Sequence, residues 1–164
     1  MPNQPKDSIE SSHFSPDTLE FIRLLQAHQA RYVVVGGEAV IYHGYPRFTG
    51  DIDFFFSDAP DNVEAVFAAL REFWGGSVPG IESAEELAEP GVIIQFGRPP
   101  NRIDLLNRID GVNFQEAWND RVELRVSCPA REVSLLMIDF RNLLRNKRAA
   151  SRPKDLDDLR ALET

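Results

Sequence analysis

Read by its apolar and polar positions, the chain switches repeatedly between two periodicities. Leu19, Ile22 and Leu25, widened by Phe21 and Leu24, recur at helical spacing behind Ser15-Pro16-Asp17. There a capping hydroxyl, a proline at the first helical position and acids at Asp17 and Glu20 mark a helix start, and the helix is predicted to end near His28. Val33 to Val35 is a short β-branched run that predicts a buried strand, broken by Gly36-Gly37. Glu38 to His43 has length for a short helix only, closed by Gly44 and Pro46. Asp51 to Phe56 predicts a second strand, on which Asp51, Asp53 and Phe55 share one face and Ile52, Phe54 and Phe56 the other.

Downstream, Asp58-Ala59-Pro60-Asp61 repeats the helix-start logic, and Val63, Val66, Phe67, Leu70 and Phe73 form a core-facing stripe. Gly75 to Gly80 is a loop, and Ser83 to Ala88 a short acidic helix. Gly91 to Phe96 and Arg102 to Leu106 predict a hairpin around Gly97-Arg98-Pro99-Pro100-Asn101. A helical turn or two over Phe114 to Trp118 precedes strands at Val122 to Val126 and Val133 to Ile138. Asp139 caps a helix to about Ala150, and Ser151-Arg152-Pro153 opens a last helix with Leu156, Leu159 and Leu162 expected to face inward. This alternation predicts an α/β (α+β) fold, a mixed β-sheet flanked by helices with a C-terminal helical segment.

At 164 residues and 43% hydrophobic content, residues 13–164 are read as one domain with a real core. Residues 1–12 are polar, carry Pro2 and Pro5, lack the apolar stretch of a secretion signal, and are read as a flexible tail. The net charge of −8 argues against coating nucleic acid or an anionic membrane through the overall field. A single cysteine, Cys128, forbids an internal disulfide and fits a reducing compartment. With no transmembrane-length apolar run, a soluble, cytoplasmic protein is expected.

The chemistry concentrates in the carboxylates and glycines. Asp51 and Asp53 have Cα atoms about 6.5–7 Å apart, two residues of strand rise, so both side chains can meet one cation. Asp104, between Ile103 and Leu105 of the later run, is the third candidate; Asp110 and Asp120 compete with it from turn-like surroundings. Three such charges within a few ångströms repel by about 4 kcal/mol per pair at an effective dielectric near 20. Mg²⁺, with Mn²⁺ as a substitute, is the hard cation that suits them, arriving with the phosphates of a nucleotide. Gly36-Gly37 closes a strand and opens a helix, a turn whose backbone N–H groups bind phosphate. Taken singly, glycine pairs and strand-face acids are common; their joint spacing is what points to nucleotide chemistry.

The constellation resembles the nucleotidyltransferase superfamily, whose pattern is a Gly-Gly or Gly-Ser turn, Asp-x-Asp about a dozen residues later and a third carboxylate on a subsequent strand. It is most similar to the small bacterial DUF6036 and AbiEii toxin type, because Asn146-Lys147-Arg148-Ala149-Ala150-Ser151-Arg152-Pro153-Lys154-Asp155-Leu156 looks like their C-terminal signature. The resemblance implies a nucleotidyltransferase fold and an Mg²⁺-dependent, pyrophosphate-releasing transferase moving a nucleoside monophosphate from an NTP such as ATP to a hydroxyl. It implies that Gly36 and Gly37 hold the triphosphate, Asp51 and Asp53 bind metal, and Asp104 completes the metal site and draws the acceptor proton. A tRNA 3′ end, a protein hydroxyl and a small molecule all fit as acceptor. A toxin–antitoxin setting, with an antitoxin partner or a homodimer completing the cleft, fits too. The rival expectation is a non-catalytic nucleotide-binding or antitoxin-partner module.

Gly37 stands where serine would add a hydroxyl, so phosphate binding is expected to rest on backbone donors, with Glu38 pointing away. Arg141, Arg145, Lys147, Arg148, Arg152 and Lys154 form a basic segment without an acid among them. Lys147, Arg152 and Lys154 are expected to contact phosphate; Arg141 and Arg145 are read as a solvated face. Asp155 and Asp158 are expected to orient these cations or cap the last helix. Arg47 and Thr49, just ahead of Asp51, are further candidates for the pocket. His13, His28 and His43 show no metal-ligand spacing with Cys128.

Overall fold

The computed structural model describes residues 7–128 and 132–164. A seven-stranded mixed sheet forms its centre, in the order β1-β6-β7-β2-β3-β5-β4. The strands are β1 (Ser8–Glu10), β2 (Tyr32–Val35), β3 (Asp51–Phe56), β4 (Ile93–Phe96), β5 (Arg102–Leu106), β6 (Val122–Ser127) and β7 (Glu132–Met137). Six α-helices accompany them: α1 (Pro16–Ala27), α2 (Gly36–Tyr42), α3 (Pro60–Phe73), α4 (Phe114–Asn119), α5 (Phe140–Ala150) and α6 (Pro153–Leu162). The Ser15 side chain accepts from the Thr18 amide at the start of α1, and Asp139 accepts from Asn142 at the start of α5. α5 stops at Ser151, whose φ of 53° turns the chain into α6.

The central strand β3 explains why the acids end up where they do. It pairs antiparallel with β2 and parallel with β5. Its two faces carry different loads. Phe54 packs edge-to-face against Phe21 of α1 and against Tyr32, and Phe21 meets Phe73 and Phe96 in the same way. Phe55, on the opposite face, packs against Phe114 of α4. Both sides of the strand's far half are therefore buried, which fixes its register and leaves the two aspartates at the near end as its only half-open side chains.

Two expectations are corrected. Ser8–Glu10 is not part of a loose tail: it is a strand, paired parallel to Arg125–Ser127, and His13 bonds to Glu38. The segment's polar character belongs to an edge strand, exposed on one side; residues 1–6 of the predicted tail lie outside the described residues. Leu156 is exposed on α6 while Leu159 is buried, because the buried side of this helix is set by Asp155, Asp158 and Leu159, and acids occupy positions where apolar residues were expected. Among the described residues no helix is long and apolar enough to cross a membrane.

Candidate active site

The parallel pairing of β3 with β5 sets Asp51 beside Arg102 and Asp53 beside Asp104. Alternation then puts all four side chains on one face. Asp51, Asp53 and Asp104 each bring a carboxylate oxygen to within 4.8 Å of the others. Asp104 is buried; Asp51 and Asp53 are half-buried. These hard oxygen donors, converging from two strands, fit a divalent cation of the magnesium type.

Arg102 balances the cluster. Its NH2 group donates to Asp51 Oδ2 at 2.8 Å and to Asp104 Oδ2 at 3.0 Å, and its Nε donates to Asp104 Oδ1 at 2.9 Å. Gln95, opposite Asp104 in the β4–β5 hairpin, adds a bond to Asp104 Oδ2 at 3.3 Å. Asp53 lacks such relief. Burial first, then the charges of Asp51 and Asp104 and a hydrogen bond with Asp104, push its carboxyl up to about 7, with Arg102 pulling the other way.

The glycine turn lies against this cluster. Gly36 sits at φ +67°, and a Cβ there would stand 2.2 Å from Asp53 Oδ2, so both backbone conformation and space demand glycine. At Gly37 a Cβ would meet Thr49 Oγ1 at 2.5 Å and Thr49 Cβ at 2.8 Å. The Thr49 side chain thus fills the volume that a serine at position 37 would need, and its hydroxyl donates to the Asp51 carbonyl at 3.2 Å. Glu38 is directed to the N-terminal segment, where Oε2 lies 2.7 Å from His13 Nε2. His43 caps the end of α2, and its Nε2–H donates to the Ile138 carbonyl at 2.8 Å.

The C-terminal cations are placed differently from one another. Lys147 is buried, with Nζ 2.9 Å from both Asp155 Oδ1 and Asp158 Oδ2. Arg47 donates to Asp158 through Nε at 2.8 Å and NH2 at 3.0 Å. Arg152 is exposed and donates to Asp155 at 2.8 Å, while its amide closes the α6 capping box. Burial alone would raise Asp155; bonds from Arg152 and Lys147 outweigh it and hold the carboxyl below its ordinary value. Lys154 is exposed. Of the expected phosphate contacts, Arg47 and Lys147 form a buried ionic network that ties the loop before β3 to α6, whereas Arg152 and Lys154 stand on the surface.

Arg102 and Gln95 are the site residues that pattern reading passed over. The signal was present: Arg102 lies two residues before Asp104 on a strand, and the hairpin places Gln95 across from it.

A mixed sheet whose central strand carries Asp-x-Asp, a parallel neighbour supplying the third acid, and a Gly-Gly strand-to-helix turn against them define the class of nucleotidyltransferase folds. The chain belongs to the family described as nucleotidyltransferase of unknown function, DUF6036, whose model matches residues 17–163. No curated protein matches the chain.

Proposed function

We propose that the protein is an Mg²⁺-dependent nucleotidyltransferase that moves a nucleoside monophosphate from an NTP to a hydroxyl acceptor and releases pyrophosphate. The observation that carries this reading is the convergence of Asp51, Asp53 and Asp104 within 4.8 Å, with Gly36 pressed against Asp53. Held by these three carboxylates, a divalent ion supplies Lewis-acid polarisation and offsets charge developing on the phosphate; Mn²⁺ can replace Mg²⁺. The backbone of Gly36 and Gly37 grips the triphosphate, and the exposed cations Arg152 and Lys154 add charge for phosphate. The acceptor oxygen bonds to the α-phosphorus, the bond to the bridging oxygen breaks, and the acceptor's proton passes to Asp104. In the structure Arg102 and Gln95 occupy both Asp104 oxygens, so Asp104 must first be released.

A tRNA 3′ end, a protein hydroxyl or a small molecule is the acceptor. The first two fit a toxin held in check by an antitoxin partner, in the cytoplasm. Incubation with each α-labelled NTP, Mg²⁺ and RNA, protein extract or aminoglycosides tests the reading: label appears on one acceptor class and is lost in Asp53→Ala. One observation favours the rival, a non-catalytic nucleotide-binding module: the Arg102 guanidinium bonds to Asp51 and Asp104, two of the three carboxylates the reaction would use. Tight NTP binding with no label transfer to any acceptor would establish that rival.

A further inference from the structure

Arg102 already engages part of the acidic cluster. Its guanidinium bridges Asp51 and Asp104, two of the three carboxylates that converge on one point, with bonds of 2.8 to 3.0 Å. A planar fork matched to carboxylate oxygens is a good internal counter-ion for a half-buried acidic cluster. It also uses the oxygens a divalent cation needs, so the two cations compete for them.

The surroundings show which way Arg102 can leave. Asp104 is anchored in the sheet and held on a second side by Gln95. Arg102 has no comparable anchor: all its side-chain bonds go to the two carboxylates, and the side chain is 32% exposed. Once its partners are taken, the guanidinium loses its counter-charge but stays, through its own backbone, beside Asp51 in the β3–β5 pair. The anionic group that enters this site with a divalent ion is a polyphosphate, and bidentate phosphate binding is what a guanidinium does best.

We propose that Arg102 is an exchangeable residue with two positions, counter-ion of Asp51 and Asp104 in the metal-free protein and phosphate ligand once metal and nucleotide are bound. The proposal rests on the nucleotidyltransferase reading above. It makes Arg102 a substrate-binding residue and makes metal entry a displacement, which couples metal to nucleotide: the ion alone must expel a guanidinium that the triphosphate would welcome.

Binding of Mn²⁺, alone and with a non-hydrolysable NTP analogue, tests this in the full chain by calorimetry or by the spin resonance of free Mn²⁺. Arg102→Gln should bind Mn²⁺ alone about tenfold more tightly than the natural protein, because the competing charge is gone, and the Mn²⁺–analogue complex about tenfold more weakly, because a phosphate ligand is gone. This crossing of the two affinities is what a purely structural arginine would not produce. Arg102→Lys, which keeps the charge without the fork, should lie between and guards against misfolding of the glutamine variant. Equal Mn²⁺ affinities in the natural protein and Arg102→Gln, abolished in both by Asp53→Asn, would overturn the exchange while leaving the metal site intact. Absence of Asp53-dependent Mn²⁺ binding from both proteins would instead overturn the metal-site reading, and the exchange with it.

Discussion

Asp53 gives up its proton reluctantly. Its carboxyl, ordinarily at 3.8, is pushed up to about 7 by burial and by two neighbouring acids. Between about pH 4 and pH 7 the folded protein therefore keeps a proton that the unfolded chain has released, so folding is favoured at the acid end and metal-free stability falls as pH rises through that window. The expected loss is a few kcal/mol at most. Urea denaturation in chelator at pH 5 and pH 8 should show it, and Asp53→Asn should flatten the difference by raising stability at pH 8. A natural protein equally stable at both values would mean that the carboxylates are relieved by some other charge.

The two glycines differ in what they permit. Gly36 gives space to Asp53, whereas Gly37 gives space to Thr49. At position 37 the consequence runs against a simple swap to the Gly-Ser form. Gly37→Ser should destabilise the protein by about 1–3 kcal/mol, the usual cost of overpacking, and should weaken metal binding because Thr49 is bonded to Asp51. Combining it with Thr49→Gly, which vacates the collision at Cβ as well as Oγ1, should recover much of the loss. A thermal melt of the two single variants and the double variant reads the coupling directly.

At the scale of elements, the near half of the site was plain in the chain and the far half was not. Val33 to Val35, the glycine pair and the alternation of Asp51 to Phe56 are local patterns, and each became the element it predicted: β2, the start of α2, and β3. The hairpin of β4 and β5 was legible for the same reason, from two extended runs around a proline-rich turn. Parallel pairing of β3 with β5 is different, since no turn links them directly and the register is set by packing on both faces. Asp104 could be nominated as the third acid, yet the sequence held no means of seeing that Arg102 faces Asp51 across that pair. Polar edge strands are equally silent. Ser8–Glu10 has nothing to distinguish it from a tail until β6 is there to receive it.

For the molecule as a whole, the basic segment divides. Asp155 and Asp158, expected to orient its cations, reach Lys147 from eight and eleven positions later on α6, which takes that lysine into the interior while Arg152 and Lys154 stay on the surface. The α5–α6 pair is thus joined by a buried ionic cluster, which also reaches back to Arg47. Such a cluster is costly to break from one side, because the remaining charges are left unpaired. Lys147→Met should cost about 3–5 kcal/mol, read as a lower urea midpoint. Arg152→Ala, on the surface of the same network, should cost less than about 1 kcal/mol, because its guanidinium is exposed to solvent and Lys147 still pairs with the buried Asp155.

The bond from Arg47 to Asp158 spans 111 positions of sequence. A chain emerging from the ribosome makes the glycine turn and the first two aspartates early, but the loop that carries Thr49 toward Asp51 stays without its fastening until α6 has been synthesised. The last helix therefore fastens that loop: without α6, Arg47 and Lys147 would lose the Asp155 and Asp158 carboxylates, and the segment leading into β3 would be held less firmly.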